Sequence, residues 1–224
     1  MFINLPSRRK PRPPWVNLFV VATSVVCFLW LATLPVDNRT ALINQWGTVP
    51  TTLLDTTAPW LQIFTELRAA RLVSALFIHA DWLHLIGNLL FLIIFGVPSE
   101  RALGSARFLA LFLICGALAN LVGAWTLAGT SGPIIGSSGA VSAVVGAYLA
   151  LFPSARLGLV LPLGLYLEFV RIPAPILIGV WILLQLVFTF VGPAFGAVAW
   201  WTHIAGFCFG ILFAMASRSG IRRR

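Results

Sequence analysis

Charged side chains are scarce in this sequence. Asp, Glu, Lys and Arg together make up 9% of the 224 residues, whereas 59% are hydrophobic; soluble domains carry roughly 25% charge. The shortage excludes an ordinary soluble domain and predicts an all-α integral membrane protein, long enough for about six spans of ~20 residues. We expect one membrane domain over residues 15–217, between a short basic tail at 1–14 and another at 218–224.

Paired cysteines, acidic residues deep inside the apolar runs and internal repeats are also lacking. The three cysteines lie singly within apolar runs, with no CxxC pair, which argues against a disulfide framework. Three histidines are enough for a metal site, but no H-E-x-x-H motif accompanies them. The missing acids and repeats weigh against a proton-coupled transporter and against transporters built from inverted repeats. We expect no metal and no cofactor.

Six apolar runs are present, and their flanking charges predict a topology. Twelve of the fifteen Lys and Arg fall in the two tails and in the loops that would share their side of the membrane. Positive charge favours the cytoplasmic side, so both termini are predicted to be cytoplasmic. The net charge of +9 then reflects topology signals and contact with an anionic lipid bilayer, not nucleic-acid binding. The predicted spans are Trp15–Leu34, Asp81–Val97, Arg107–Ala128, Gly136–Phe152, Ala174–Val191 and Ala197–Ala216.

Two connecting segments are irregular. The first outer loop, residues 35–80, is long and contains Trp46 and Trp60, and its stretch "WLQIFTELRAARL" reads as an amphipathic helix. We expect this loop to be interfacial and partly embedded in the membrane; a plain solvated loop is the alternative. The stretch "RLGLVLPLGLYLEFVRIP" is too broken by Pro and Gly to span, and is predicted to form a hairpin at the cytoplasmic face.

Polar residues inside membrane spans are costly and therefore candidates for function. In the predicted topology, spans two, four and six all run inward from the outer side. Their outer ends carry His84 and Asn88, Ser137 and Ser138, and His203, respectively. Three spans thus deliver Ser, His and Asn side chains to one membrane depth, and a site there would open to the outer side.

Small residues predict which helices meet at that depth. Each of spans four and six carries a ridge of small residues at every fourth position, and such ridges let membrane helices approach closely. If the ridges face each other, His203 lies near Ser138, as a general base must lie near a serine nucleophile. Free N–H groups at the start of span four, with Asn88 and His84, are suited to binding an oxyanion. The ridges are Ser138, Ser142 and Gly146 on span four and Gly206, Gly210 and Ala214 on span six.

Three motifs, in the second, fourth and sixth predicted spans, resemble those of the rhomboid intramembrane serine proteases. They are "HADWLHLIGNLLFLIIFG", "GSSGA" and "HIAGFCFG", and "ERALG" in the intervening inner loop adds to the likeness. The resemblance covers most of the chain and implies a six-transmembrane-helix bundle and a Ser–His dyad. It implies Ser138 as nucleophile and His203 as base, with an oxyanion site formed by His84, Asn88 and the backbone N–H groups of Ser138 and Ser137.

The same resemblance implies supporting residues and a cellular setting. It identifies as structural supports Gly136, Gly139, Gly206, Gly210, Arg71, Glu100 and Gly104. Two positions depart from the family pattern: Ala70 replaces a tryptophan that precedes the arginine, and Ser142 replaces an aromatic residue that stacks on the base. The chain looks like a prokaryotic six-span member, placed in the bacterial inner membrane, with transmembrane proteins as substrates. A catalytically silent relative that binds membrane clients, or a small six-span transporter, remains the alternative.

Overall fold

The computed structural model describes residues 13–55, 68–163, 166–191 and 200–221 of the chain, and helices dominate this part. A 3₁₀ turn at Ala75–Phe77 follows the fourth helix, and π-helical turns interrupt the fifth and sixth at Leu92–Gly96 and Leu111–Cys115. In chain order the helices are α1 (Trp15–Ala32), α2 (Val36–Trp46), α3 (Pro50–Leu53), α4 (Arg68–Ser74), α5 (Trp82–Leu103), α6 (Ser105–Thr126), α7 (Ser138–Leu151), α8 (Ala174–Val191) and α9 (Trp200–Ile221).

Five of these helices, α1, α5, α6, α8 and α9, are long and apolar enough to cross a membrane. The protein is therefore an integral multi-pass membrane protein with an all-α bundle, as the composition predicts. The predicted fourth span is α7, which has only 14 residues and so is about 21 Å long at 1.5 Å per residue. Ten of its residues are buried, so the shortest of the six helices that correspond to the apolar runs is surrounded by the others.

Two helices run further than their apolar pattern. α5 continues past Val97 to Leu103, and α9 continues past Ala216 to Ile221. Pro98 does not end α5 because it follows the π-helical turn, where the backbone hydrogen-bond register already changes. At the other end of the chain, α9 extends through Arg218 into the basic tail, beyond the continuous apolar run that marks the rest of the helix.

The core around α7 combines small side chains on α7 with aromatic side chains on α6. Ala140, Ala143 and Ala147 are fully buried on α7, and Phe108 and Phe112 of α6 are fully buried as well. The alanines allow neighbouring backbones to approach, and the large rings occupy the remaining volume, as close packing of an interior requires.

The described part of the first outer loop consists of α2, α3, α4 and the 3₁₀ turn. The backbone of Thr48 forms an isolated antiparallel β-bridge with Ile134 in the loop before α7. The hydroxyl of Thr48 donates to the carbonyl oxygen of Arg71 at 3.0 Å. The loop is thereby tied to the segment that leads into α7. Of the predicted amphipathic helix, residues 60–67 lie outside the described residues, while α4 covers Arg68–Ser74; embedding in the membrane stays a prediction.

The predicted cytoplasmic-face hairpin consists of two antiparallel strands, β1 (Arg156–Leu163) and β2 (Tyr166–Pro173). The register pairs Arg156 with Pro173. The backbone N–H of Ala174, the first residue of α8, donates to the carbonyl oxygen of Ala155 at 2.8 Å, which closes the base of the hairpin. The hairpin thus connects the end of α7 to the start of α8.

Glu100 joins the C-terminal end of α5 to the start of α1. Its buried carboxylate accepts hydrogen bonds from the backbone N–H groups of Val16 at 3.0 Å and Asn17 at 2.8 Å, and from the Ser105 hydroxyl at 2.7 Å. N–H groups in the first turn of a helix have no partner within the helix, so this carboxylate satisfies two of them and suits the positive end of the helix dipole. The turn between α5 and α6 passes through Gly104, whose φ of +82° favours glycine.

Candidate active site

Helices α7 and α9 meet along a seam of glycines. A methyl group at Gly206 would overlap the carbonyl oxygen of Gly139, and one at Gly210 would overlap the carbonyl oxygen of Ala143. Across the seam, a methyl group at Gly146 would overlap the carbonyl of Phe207. The two predicted ridges therefore face each other, with the backbones in direct contact.

This seam brings Ser138 and His203 together. Ser138 is the first residue of α7 and His203 lies in the first turn of α9. The Oγ of Ser138 and the Nε2 of His203 are 2.9 Å apart, the distance of a good hydrogen bond. The two side chains that the sequence selects as nucleophile and base are thus in contact.

The adjacent serine has a different partner. Ser137 is fully buried, and its hydroxyl lies 3.3 Å from the Nε2 of His79. Burial, and to a smaller extent the neighbouring His84, lowers the pKa of His79 to about 4. His79 is therefore neutral at pH 7, and the imidazole that Ser137 contacts is not that of His203.

Asn88 presents a hydrogen-bond donor without a partner. Its side chain is 8% exposed, and among the described residues nothing accepts from its Nδ2. It lies one turn beyond His84 on α5, and Asp81 caps the start of that helix by accepting from the His84 backbone N–H at 2.8 Å. A buried amide N–H without a partner is expensive, so this donor is a candidate ligand for a group that enters the site.

Gly136 allows the loop before α7 to pass close to His84. Its φ is +109°, a backbone conformation that favours glycine, and a methyl group there would overlap the imidazole of His84. Gly139, one residue after the candidate nucleophile, lies close to Thr202 and Ala119, so that a methyl group would crowd both. The glycines before and after the two serines therefore lie where the backbone passes close to neighbouring side chains: His84 at Gly136, and Thr202 and Ala119 at Gly139.

These polar groups line a single cavity of about 240 Å³ between α5, α7, α8 and α9. Ser138, His203, His84 and Asn88 contribute polar atoms. The apolar part of the wall is formed by Leu83, Phe91, Val141 and Trp181. The cavity is large enough for a side chain and for water beside Ser138.

Ser142, where the family pattern has an aromatic residue, also lines the cavity. Its hydroxyl donates to the carbonyl oxygen of Ser138 at 2.7 Å. The imidazole of His203 instead has an edge contact with Trp200 of its own helix, with ring centroids 5.8 Å apart. An aromatic contact to the candidate base is thus supplied from a different position.

Of the remaining predicted supports, Arg71 lies in α4, where its carbonyl oxygen accepts from Thr48. The neighbouring Arg68 is the more buried arginine, 6% exposed, and its Nη1 donates to the carbonyl oxygen of Thr52 at 3.0 Å. Arg68 therefore joins two parts of the predicted outer loop, a role that its position in the amphipathic stretch does not predict.

One residue of the site is missed by the sequence reasoning. Gln185 of α8 lies against the candidate base, with its Oε1 2.9 Å from the Nδ1 of His203. It lies in the apolar run "ILIGVWILLQLVF", which reads as a lipid-facing span. The sequence feature that could have identified Gln185 is its polarity, because a single strongly polar side chain in an apolar span is costly unless it has a hydrogen-bond partner.

The bundle and its buried polar cluster define a helical multi-pass membrane protein with a serine–histidine pair inside it. The rhomboid domain family model matches residues 66–219, which span α4 to α9. The chain belongs to the rhomboid family, whose members are usually intramembrane serine proteases.

Individual relatives match shorter stretches. The chain is 32% identical over 99 residues to presenilin-associated rhomboid-like protein A, mitochondrial, of Danio rerio, covering 43% of this chain and 26% of that protein. It is 32% identical over 90 residues to "Putative rhomboid protease YdcA" of Bacillus subtilis, covering 39% of this chain and 45% of that protein. It is 42% identical over 69 residues to rhomboid-like protein 11, chloroplastic, of Arabidopsis thaliana, covering 31% of this chain and 24% of that protein. The chain thus aligns with less than half of the length of each of these relatives.

Proposed function

We propose that this protein is a serine endopeptidase that cleaves transmembrane segments of other membrane proteins. The observation that carries the proposal is the 2.9 Å contact between the Oγ of Ser138 and the Nε2 of His203 inside a membrane bundle. Serine is a weak nucleophile unless a base accepts its proton, and the contact supplies that base. Family membership supports the same reaction class.

In the proposed reaction, the Oγ of Ser138 attacks the carbonyl carbon of a peptide bond while the Nε2 of His203 accepts the hydroxyl proton. The tetrahedral intermediate collapses to an acyl-enzyme, and His203 returns the proton to the leaving amine. A water molecule, deprotonated by His203, then hydrolyses the ester and restores Ser138.

Negative charge develops on the carbonyl oxygen of the substrate during both steps. The donors assigned to it are the Nδ2 of Asn88, the side chain of His84 and the backbone N–H groups of Ser138 and Ser137. The unpartnered Nδ2 of Asn88 favours this assignment, because a donor already in place needs no rearrangement in the transition state.

Transmembrane proteins are the proposed substrates because the site lies at the head of a helix too short to span the ~30 Å hydrocarbon core. The peptide bond must leave its helical hydrogen bonds to reach Ser138. Substrates with helix-weakening Gly or Pro near the cleaved bond are therefore preferred. The apolar wall of the cavity, with Phe91 and Trp181, accommodates an uncharged side chain.

The two adjacent serines provide a matched test. Purified protein in detergent is treated with a fluorescent fluorophosphonate, which reacts with activated serines, and cleavage of a single-span model substrate is measured in parallel. Ser138→Ala is expected to abolish labelling and cleavage, while Ser137→Ala, which loses only the contact with His79, retains both. Absence of labelling and cleavage in the wild-type protein across several lipid conditions, or their loss in Ser137→Ala alone, would contradict the proposal.

A further inference from the structure

The base in this site is held from a second side. Its Nε2 faces Ser138, and its Nδ1 lies 2.9 Å from the Oε1 of Gln185 on α8. In this orientation the amide of Gln185 presents its oxygen, which only accepts hydrogen bonds, so the contact is a hydrogen bond when the Nδ1 of His203 carries the proton. A neutral imidazole has one N–H, and the Nε2 is then free to accept from the hydroxyl of Ser138.

From this geometry we infer that Gln185 is a positioning residue that holds His203 in the Nδ1–H tautomer required of a general base. In the opposite tautomer, Nε2–H points at the serine and has no lone pair to accept its proton. In serine–histidine–aspartate sites, a carboxylate performs this orienting role and also stabilises the imidazolium. Gln185 supplies the orientation with a neutral oxygen. The inference rests on the proposed function for its consequence on rate, but the tautomer is a property of the resting protein.

The described residues that line the cavity favour this assignment over a charged partner. Among them His84 is the only titratable side chain other than His203, and no Asp or Glu lies there. The amide of Gln185 is therefore the group among them whose oxygen reaches the Nδ1. The ring contact with Trp200 packs against the imidazole edge-on and does not choose between its two nitrogens.

The position of Gln185 gives the contact a further property. α8 is the least buried of the five long helices: 17% of its apolar stretch is buried inside the protein. An ordinary interhelical hydrogen bond would only strengthen the packing of α8 on α9. If Gln185 is a positioning residue, the tautomer of His203 depends on α8 remaining in place. A hydrogen bond that only strengthens helix packing has no such effect, so the tautomer separates the two explanations.

The test compares Gln185→Met, which keeps the length and approximate volume but removes the acceptor, with Gln185→Glu, which keeps an acceptor. Leu184→Met, at the adjacent lipid-facing position (48% exposed), is the matched control. The chain has only three histidines, so ¹⁵N-histidine spectra of the detergent-solubilised proteins, assigned with His203→Asn, report the tautomer directly. We expect Nδ1–H in the wild type, Leu184→Met and Gln185→Glu, and a mixture of tautomers in Gln185→Met.

The rate of fluorophosphonate labelling and the cleavage kinetics give the functional reading. Gln185→Met should reduce kcat and the labelling rate about tenfold, the loss expected for one neutral hydrogen bond to the base, with KM changed little. Gln185→Glu should recover much of this loss and shift the acidic limb of the pH–rate profile to higher pH, because a carboxylate stabilises the imidazolium. An Nε2–H tautomer in the wild type, or an unchanged tautomer and rate in Gln185→Met, overturns the inference. A wild type that is inert but has the Nδ1–H tautomer, lost in Gln185→Met, overturns the proposed function and leaves the role of Gln185 intact.

Discussion

Two buried asparagines in this chain have opposite hydrogen-bonding states. The Nδ2 of Asn120 donates to the carbonyl oxygen of Leu72 at 2.9 Å and joins α6 to α4. The Nδ2 of Asn88 has no acceptor among the described residues, although the side chain is almost as buried. A donor that is satisfied in the folded protein contributes to stability, whereas an unsatisfied donor costs stability and is available for a transition state.

This contrast predicts a separation of stability from activity. Asn88→Ala should lower kcat by about 10²–10³, the usual effect of removing one oxyanion donor, while leaving thermal stability unchanged or slightly raised. Asn120→Ala should lower the free energy of unfolding by about 1 kcal/mol, because it removes a partly buried hydrogen bond between α6 and α4, with little effect on kcat. Cleavage kinetics and thermal unfolding of the two variants check both halves; an Asn88→Ala variant that is destabilised yet fully active would assign Asn88 to the fold alone.

At the scale of the helices, the seam between α7 and α9 sets the distance between nucleophile and base. Backbone touches backbone at Gly206 and Gly210, so no side chain lies between the two helices to absorb a change. Ser138 and His203 lie at the end of this seam where both helices begin. Any increase in the separation of the helices therefore lengthens the contact between their Oγ and Nε2 atoms.

Gly206→Ala and Gly210→Ala should each separate the two helices and reduce fluorophosphonate labelling more than tenfold. Each added methyl group meets a carbonyl oxygen that cannot move without shifting the helix, and such overpacking typically costs 1–3 kcal/mol. The control is Gly179→Ala on α8, where a methyl group meets nothing within 4 Å. It should leave labelling intact and change stability by about 1 kcal/mol or less, in the stabilising direction. Equal labelling in all three variants would show that the seam does not control the dyad.

At the scale of the whole molecule, the sequence predicts two kinds of feature. One is the depth of a residue in the membrane, and the other is the helix face on which it lies. The apolar runs locate the membrane helices, and the shared depth of Ser138, His203 and Asn88 follows from the direction of each span. The small ridges predict which two helices touch. Gln185 could not be assigned in this way, because the three residues on either side of it in α8 are apolar and the rotation of that helix about its axis depends on tertiary packing. The continuation of α5 through Pro98 is missed for a similar reason, since the π-helical turn before it has no marker in the apolar pattern.

The orientation of the molecule in the membrane provides a final prediction. The candidate site lies where α5, α7 and α9 begin. At the opposite ends, Arg101 lies in the last turn of α5, Arg107 follows α5 and Arg156 follows α7. Because basic residues are retained on the cytoplasmic side, the site should open to the outer side and both termini should be cytoplasmic.

Two exposed serines at opposite ends of α7 report this orientation. Ser131 lies in the loop before α7 and Ser154 in the turn after it. In intact bacterial cells that express the protein, a membrane-impermeant maleimide should label Ser131→Cys, whereas Ser154→Cys should react only after the cells are permeabilised. The unsubstituted protein gives the background, which should be low because Cys27, Cys115 and Cys208 all lie within the membrane helices α1, α6 and α9. The reverse labelling pattern would place the Ser138–His203 pair on the cytoplasmic side and would show that the charge distribution does not determine the topology of this chain.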